Sequence, residues 1–335
     1  MTVADSVFKQ RPVCSIYIRL VEHCEDKGFA NSEFLLIFCT YPAQLISQLS
    51  TMEKIKEFRM RARLKGKNRI RLFRQAAKRL ASHIASYEHV TGMVFLGGLA
   101  RGFTDKSSDL DVVVFLERKN QVQETQIRDM VTEEGKRSGI DTDLEIHLLK
   151  DFPKWKWTEI NRWDFSHAEV AFDKKEHIRR IIEAKLKVPD EFWTRRIVIY
   201  AEYMKWYCYP PKKSIGTITE AWIDRGDLTS AHYCVNYGVE LILRTVFALN
   251  KEFIPPPKWR IYYFKDMRWL PKHHNLLDQA MRVTDLSADD LRRRLEAVRK
   301  IWTEVLSKIK RETGLGPREV SRYYVQRILE QRTLN

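Results

Sequence analysis

Residues 97–114 decide the fold of this chain, and they read Gly97-Gly-Leu-Ala-Arg-Gly-Phe-Thr-Asp-Lys-Ser-Ser-Asp-Leu-Asp-Val-Val-Val114. A short apolar run, residues 92–96, precedes them and predicts a buried strand that ends in a tight turn at the glycine pair. A second strand is predicted over 110–116 and a helix over 125–138. Residues 140–149 then alternate between apolar and polar side chains, which predicts a third strand. The pattern indicates a small α/β sheet with one polar face.

The polar side chains of this segment include carboxylates that share a strand face. Asp109 and Asp111 are two residues apart, so on a strand both point to the same side. Neighbouring carboxylates repel each other unless a cation neutralises them. Hard oxygen ligands favour Mg²⁺, with Mn²⁺ as the alternative. Glu145 on the next strand offers a third carboxylate, and Asp143, which shares its face, is the second choice.

The glycine pair and the arginine after it suit an anionic ligand. Without side chains at Gly97 and Gly98, backbone N–H groups can approach an anion closely. Arg101 follows three residues later and is placed to hold a terminal phosphate. Three carboxylates, two metal ions and a triphosphate cradle are the parts of two-metal phosphoryl chemistry.

The same stretch resembles the signature of the polymerase-β-type nucleotidyltransferase superfamily. That signature has an apolar residue, Gly-Gly or Gly-Ser, about ten residues of spacer and Asp-apolar-Asp-apolar. The resemblance implies that Asp109, Asp111 and Glu145 are catalytic metal ligands, although the family more often has Asp at the third position. It also implies that the triphosphate is bound by the glycine-rich turn and nearby residues: Gly97, Gly98, Arg101 and Ser108. Gly98 departs from the family, since many members have a serine there.

The C-terminal half more weakly resembles the helical domains behind such cores in aminoglycoside-type nucleotidyltransferases. Lys258 could reach a nucleotide phosphate as a point charge or lie in a surface turn. Trp259 and Trp269 could stack on a base or sugar, although packing in the core is the commoner role. His147 is expected to support the carboxylate face rather than bind metal itself.

These patterns predict an α+β fold with three parts. Residues 1–50 are expected to form a helical segment that resembles a helix-turn-helix. Residues 51–155 are expected to form the nucleotidyltransferase core, with a basic helix leading into it. Residues 156–335 are expected to form an all-α domain that binds the acceptor and the nucleotide.

The composition favours an anionic partner. The 335 residues carry a formal net charge of +15, and the Lys54–Arg79 segment is basic enough to contact several phosphates, or simply to form a solvated helix face. The five cysteines form no Cys-x-x-Cys pair. Together with the lack of a long apolar run or a signal-peptide pattern, this predicts a cytoplasmic protein without membrane contact.

The predicted function is Mg²⁺-dependent transfer of a nucleoside monophosphate from an NTP, with ATP as the expected donor. The acceptor is a hydroxyl of a small molecule, an RNA or a protein, and pyrophosphate is released. The alternative is a non-catalytic nucleic-acid-binding protein that keeps the fold. The presence of both Asp109 and Asp111 argues against that alternative, because an inactive member would be expected to lose an acid.

Overall fold

The computed structural model describes residues 67–210, 212, 215–266 and 273–333. The predicted helical segment over residues 1–50 and the first half of the basic Lys54–Arg79 stretch lie outside these residues, as does Trp269. Within the described part the chain has the predicted α+β composition, with a small mixed sheet and many helices. None of the described helices is both long and apolar enough to cross a membrane.

The elements follow one another in an order that places the strands before most of the helices. They are α1 (Ile70–Ile84), β1 (Val90–Phe95), α2 (Gly97–Ala100), β2 (Asp109–Leu116), α3 (Gln121–Ser138), β3 (Asp141–Leu148), a 3-10 turn (Phe152–Lys154), α4 (Glu159–Ser166), β4 (Glu169–Asp173), α5 (His177–Leu186), α6 (Asp190–Tyr207), α7 (Ile218–Asp224), α8 (Leu228–Leu249), α9 (Pro257–Asp266), α10 (His274–Met281), α11 (Ala288–Thr313) and α12 (Pro317–Thr333).

The four described strands form one sheet in the order β3-β2-β1-β4. Strands β2 and β3 run parallel and are joined by α3, whereas β1 is antiparallel to β2 and β4. The sequence correctly predicts the first three strands. It misses β4, because residues 156–335 were expected to be entirely helical. This strand has only five residues, and all are half-buried, so its sequence lacks the alternation that identifies the others.

The two faces of β2 are buried by different elements. The side chains at Leu110, Val112 and Val114 pack with the apolar stripes of α1 and α3. On the opposite face, Val113 and Phe115 pack with aromatic and aliphatic side chains from the segments after β3. The alternation predicted for this strand is therefore confirmed, and its second half is buried on both sides.

Helix α1 has an apolar face, with Phe73, Leu80 and Ile84 fully buried. Most of its basic residues lie on the exposed side. Arg79 instead reaches α3, where its Nη2 lies 2.6 Å from Glu134 Oε1. Helix α1 thus packs on the sheet by its apolar side while presenting cationic side chains to solvent.

The helices from α6 onward pack around a second large core, in which Phe247, Phe264 and Trp302 are fully buried. Helix α8 begins after Asp227, whose carboxylate accepts a hydrogen bond from Ser230 N at 3.0 Å. The chain leaves α8 through a proline-rich segment and enters α9 at Pro257. This route brings the beginning of α9 to the sheet's polar end.

Candidate active site

A cleft of about 710 Å³ opens at the end of the sheet where β2 begins. One wall comes from the nucleotidyltransferase-like core and the other from α4 and the beginning of α9. The side chains and glycines that matter for the chemistry below are Gly97, Gly98, Arg101, Ser108, Asp109, Asp111, Glu145, Trp163, Asp164, Lys258 and Trp259. The residues that the sequence assigns to metal and nucleotide binding therefore line this one cleft, whereas Asp143, the second choice for the third carboxylate, is not part of its lining.

Asp109 and Asp111 occupy the first and third positions of β2. Asp109 is exposed and Asp111 is half-buried, and both point to the face that continues as Val113 and Phe115. That face is covered by apolar side chains only from Val113 onward. The two carboxylates therefore stand at the edge where the cover stops and the cleft begins.

Gly97 is required beside Asp111 for two reasons. Its φ of +59° lies in the left-handed region, and a Cβ at this position would overlap the Oδ2 atom of Asp111. The backbone is held here by a hydrogen bond from Leu96 N to Asp111 O at 3.1 Å. The carboxylate of Asp111 is thus packed directly against the Gly97 backbone.

Gly98 is also closely enclosed, since a Cβ there would lie 2.6 Å from the carbonyl oxygen of Phe103. Phe103 N donates to Gly98 O at 3.0 Å, which closes the loop. The predicted tight turn is wrong in detail: the glycine pair begins a single helical turn, α2. The local reason is that the loop folds back on itself and lets residues 97–100 make helical hydrogen bonds.

The electrostatic surroundings of Asp111 raise the pKa of its carboxyl to about 6. Burial is the largest cause, and the negative charges of Asp109, Asp143 and Asp164 act in the same direction. The guanidinium of Arg101 opposes them. A cation bound between Asp109 and Asp111 would reduce this electrostatic penalty, because it would stabilise both ionised carboxylates.

The parallel register of β2 and β3 positions the two candidates for the third carboxylate. Asp143 pairs with Asp111 across the strands, and Glu145 pairs with Val113 one step further along. Glu145 lines the cleft, and its Oε2 lies 2.7 Å from His147 Nε2. The ring of His147 stands edge-on to Trp155 at 4.1 Å between centroids. His147 therefore supports Glu145 from the covered part of the face.

Within the described residues, no three His, Cys, Asp or Glu side chains stand together as a metal-binding group. Glu145 does not join Asp109 and Asp111 in a preformed triad. The two aspartates nevertheless fit a divalent cation, because they are hard oxygen donors on one strand face, and burial together with the charge of Asp109 raises the pKa of Asp111.

Arg101 and Ser108 occupy different positions in the cleft. Arg101 is only 6% exposed, and its Nη1 lies 3.7 Å from Asp164 Oδ1. Ser108 closes the loop before β2: its Oγ accepts from Asp105 N at 3.0 Å and donates to Asp105 Oδ1 at 3.2 Å. Ser108 therefore shapes the approach to the carboxylates.

Helix α4 contributes a residue that the sequence analysis missed, Asp164. Thr158 and Asn161 form a reciprocal capping box that fixes where this helix begins. Asp164 follows Asn161 by three residues, so both side chains line the cleft. Burial raises the pKa of Asp164, while the charges of Arg101 and Lys258 lower it. A Thr-x-x-Asn signal predicts the helix, but nothing local predicts that it faces the carboxylates of β2.

The first turn of α9 completes the opposite wall. Lys258 is exposed, and it lies near enough to Asp164 on the same wall for its charge to act on that carboxyl. The ring of Trp259 stands edge-on to those of Tyr262 and Tyr263 and lies 5.7 Å from the Arg101 guanidinium. Trp259 thus contributes both to aromatic packing and to the cleft lining, and its stacking on a base or sugar stays a prediction.

Comparison with known proteins identifies a domain in this part of the chain. Residues 70–199 match the family model of the nucleotidyltransferase domain. A solved structure of a nucleotidyltransferase-like protein from Exiguobacterium sibiricum is similar at 11% sequence identity and a TM-score of 0.37, and the match covers 71% of this chain and 77% of that one. No curated protein matches the chain. Residues 70–199 thus carry a nucleotidyltransferase domain of the polymerase-β type.

Proposed function

We propose that the protein is a metal-dependent nucleotidyltransferase that transfers a nucleoside monophosphate from an NTP, with ATP as the expected donor, to a hydroxyl of an acceptor. The observation that carries the proposal is the placement of Asp111 against the Gly97 backbone, beside Asp109 and in a cleft that also contains Arg101 and Lys258. Anionic metal ligands and cationic side chains in one cleft fit a metal–triphosphate complex.

In the proposed reaction Asp109 and Asp111 hold Mg²⁺, with Glu145 as the third carboxylate and Mn²⁺ as a substitute metal. A metal held there would lower the pKa of the acceptor hydroxyl and neutralise charge on the phosphates. Lys258 and Arg101 attract the phosphates that depart as pyrophosphate. The acceptor hydroxyl gives its proton to water, and its oxygen bonds to the α-phosphorus as the bond to the departing pyrophosphate breaks.

The acceptor enters from the side of the cleft lined by α4 and α9, where aromatic rings are available for stacking on a sugar or base. A small molecule, an RNA and a protein hydroxyl all remain candidates. The exposed cations of α1, including Arg71 and Arg74, favour a trial with RNA. Phosphate contacts by such a helix predict RNA affinity that falls steeply with salt.

The test is incubation of the protein with ATP, GTP, CTP or UTP labelled at the α-phosphate, in Mg²⁺. RNA, a metabolite extract and the protein itself are offered as acceptors. We expect label to enter one acceptor fraction, with pyrophosphate released in equal amount. Replacement of Mg²⁺ by a chelator should abolish the transfer, and Mn²⁺ should restore it.

The matched variants are Asp109→Asn and Asp129→Asn. Asp109 lies in the cleft, whereas Asp129 is an exposed carboxylate on α3. Transfer should fall by about a thousandfold in the first variant, since a metal ligand is lost, and stay at the wild-type rate in the second. Retention of activity within a few-fold in Asp109→Asn would remove the proposed mechanism. RNA binding without any transfer would favour the non-catalytic alternative.

A further inference from the structure

Arg101 is enclosed on several sides in the cleft. Its guanidinium lies 4.8 Å from the ring centroid of Trp163 and 5.7 Å from that of Trp259. The Nη1 atom faces Asp164 at 3.7 Å, and the side chain is almost fully buried. The two indole rings restrict the directions in which the guanidinium can turn, so that its charge is directed toward the carboxylates of the cleft.

Asp164 is the partner of Arg101 on the opposite wall. The Asp164 side chain is 29% exposed, and it lines the same cleft as Asp109 and Asp111. Lys258 contributes a second positive charge near it. A phosphate that enters the cleft therefore meets an arginine whose charge is already balanced by Asp164.

A carboxylate and a phosphate compete for the same donor groups, because guanidinium binds both through N–H donors. A phosphate oxyanion beside Asp164 would also experience direct repulsion. Any ligand that reaches Arg101 must displace Asp164 or share the guanidinium with it. For a weakly charged ligand, displacement of Asp164 is unfavourable, because its own contact with Arg101 is weaker than the Arg101–Asp164 contact that it replaces. The terminal phosphate of a triphosphate carries the most charge.

We propose that Asp164 sets the affinity for the nucleotide, because it occupies Arg101 until the terminal phosphate of a nucleoside triphosphate takes its place. This inference rests on the proposed function and adds a lowering of triphosphate affinity by the helical wall. Asp164 acts here on nucleotide binding and does not join the carboxylates that hold the metal.

The test is equilibrium binding of ATP and of ADP, measured by titration calorimetry with Mg²⁺ present and without an acceptor. Asp164→Asn keeps the shape of the side chain and removes its charge. We expect ATP to bind roughly three- to tenfold more tightly than to the wild type, because the competing anion is gone, and ADP to bind within twofold. The ratio of the ATP and ADP affinities should rise accordingly.

A double-mutant cycle separates this role from a structural one. In an Arg101→Met background, Asp164→Asn should no longer tighten ATP binding, since there is no guanidinium to release. Asp164→Ser provides a second variant, and Asp129→Asn provides the exposed control. Thermal melting and circular dichroism verify that each variant is folded.

The outcomes are distinct. Weaker or unchanged ATP binding in the folded Asp164 variants overturns the inference alone, because Asp164 would then hold Arg101 in place for the nucleotide. Equal tightening of ATP and ADP also overturns it, since the group that displaces Asp164 would then not be the third phosphate. Failure of the wild type to bind any NTP overturns the proposed function and this inference with it.

Discussion

The two walls of the cleft are built in different ways. The core wall takes Gly97, Gly98, Asp109 and Asp111 from one continuous stretch of chain. The helical wall takes Asp164 from α4 and Lys258 and Trp259 from α9, which are far apart in sequence. The core wall supplies two carboxylates, one of them packed against a glycine backbone, and the helical wall supplies a cation, a carboxylate and indole rings. We therefore expect the metal and phosphorus chemistry to depend on the first wall, and nucleotide affinity on the second.

Because the two walls differ in this way, substitutions on each wall should change different properties of the protein. Loss of a metal ligand on the core wall should lower the rate of transfer, because the charge of the reacting phosphate is no longer neutralised. Loss of a side chain on the helical wall should change nucleotide affinity and leave the chemical step nearly intact. The predictions below run from the largest expected effect to the smallest.

After Asp109, the largest effect on transfer should come from the third carboxylate. Glu145→Gln should lower the transfer rate by roughly a hundredfold or more, since it would remove a metal ligand. Asp143→Asn on the same strand face should cost less than about tenfold, because Asp143 acts on Asp111 only through its charge. Single-turnover rates with labelled NTP measure both. The reverse order would assign the third position to Asp143.

Gly97→Ala should destabilise the fold by roughly 2–4 kcal/mol, because an alanine would be strained at positive φ and would overlap Asp111. Gly139 offers a matched control: its φ is +60° and a Cβ there would meet nothing within 4 Å. Gly139→Ala should therefore cost only about 1 kcal/mol. Urea unfolding measures both variants. Equal losses would show that the contact with Asp111 contributes little.

Asp111 should make the metal-free protein less stable above pH 6. Its folded-state pKa is raised from an ordinary 3.8 to about 6, so the folded state favours the protonated form. The resulting stability is present below pH 3.8 and is lost as the pH rises through 6. Asp111→Asn should thus raise the free energy of unfolding at pH 8 by up to roughly 3 kcal/mol, and by little at pH 4.

Chemical denaturation of wild type and variant, both in chelator, measures this difference as a function of pH. Added Mg²⁺ should stabilise the wild type at pH 8 and leave Asp111→Asn nearly unaffected. A gap between the two proteins that is the same at pH 4 and pH 8 would contradict the raised pKa of Asp111.

The smallest effect should come from Lys258 on the helical wall. Lys258→Ala should raise the KM for the NTP by roughly three- to tenfold with little change in kcat, because the exposed side chain attracts phosphate as a screened charge. The effect should shrink as salt is added. Lys265→Ala, near the other end of α9, is the control and should leave KM unchanged. A large drop in kcat for Lys258→Ala would instead place this lysine in the chemical step.

The sequence predicted the core wall because its information is local. The structure contains the elements that were predicted from the spacing between Gly97 and Asp111 and from the alternation that places Glu145 on the polar face. Only the ends of the strands differ, by one or two residues. The sequence could not show that Asp164 meets Arg101, since that contact depends on how α4 packs beside the sheet. It also missed β4, whose five half-buried residues carry no periodic pattern.

The central claim is that Asp109 and Asp111 together bind a divalent cation beside Gly97. The protein is titrated with Mn²⁺, and electron paramagnetic resonance measures the free ion. This measurement tests the claim without knowledge of the acceptor. We expect saturable binding to the wild type at pH 8, at least tenfold weaker binding to Asp109→Asn and Asp111→Asn, and no change in Asp129→Asn. Equal Mn²⁺ affinity in the wild type and both cleft variants would contradict the claim.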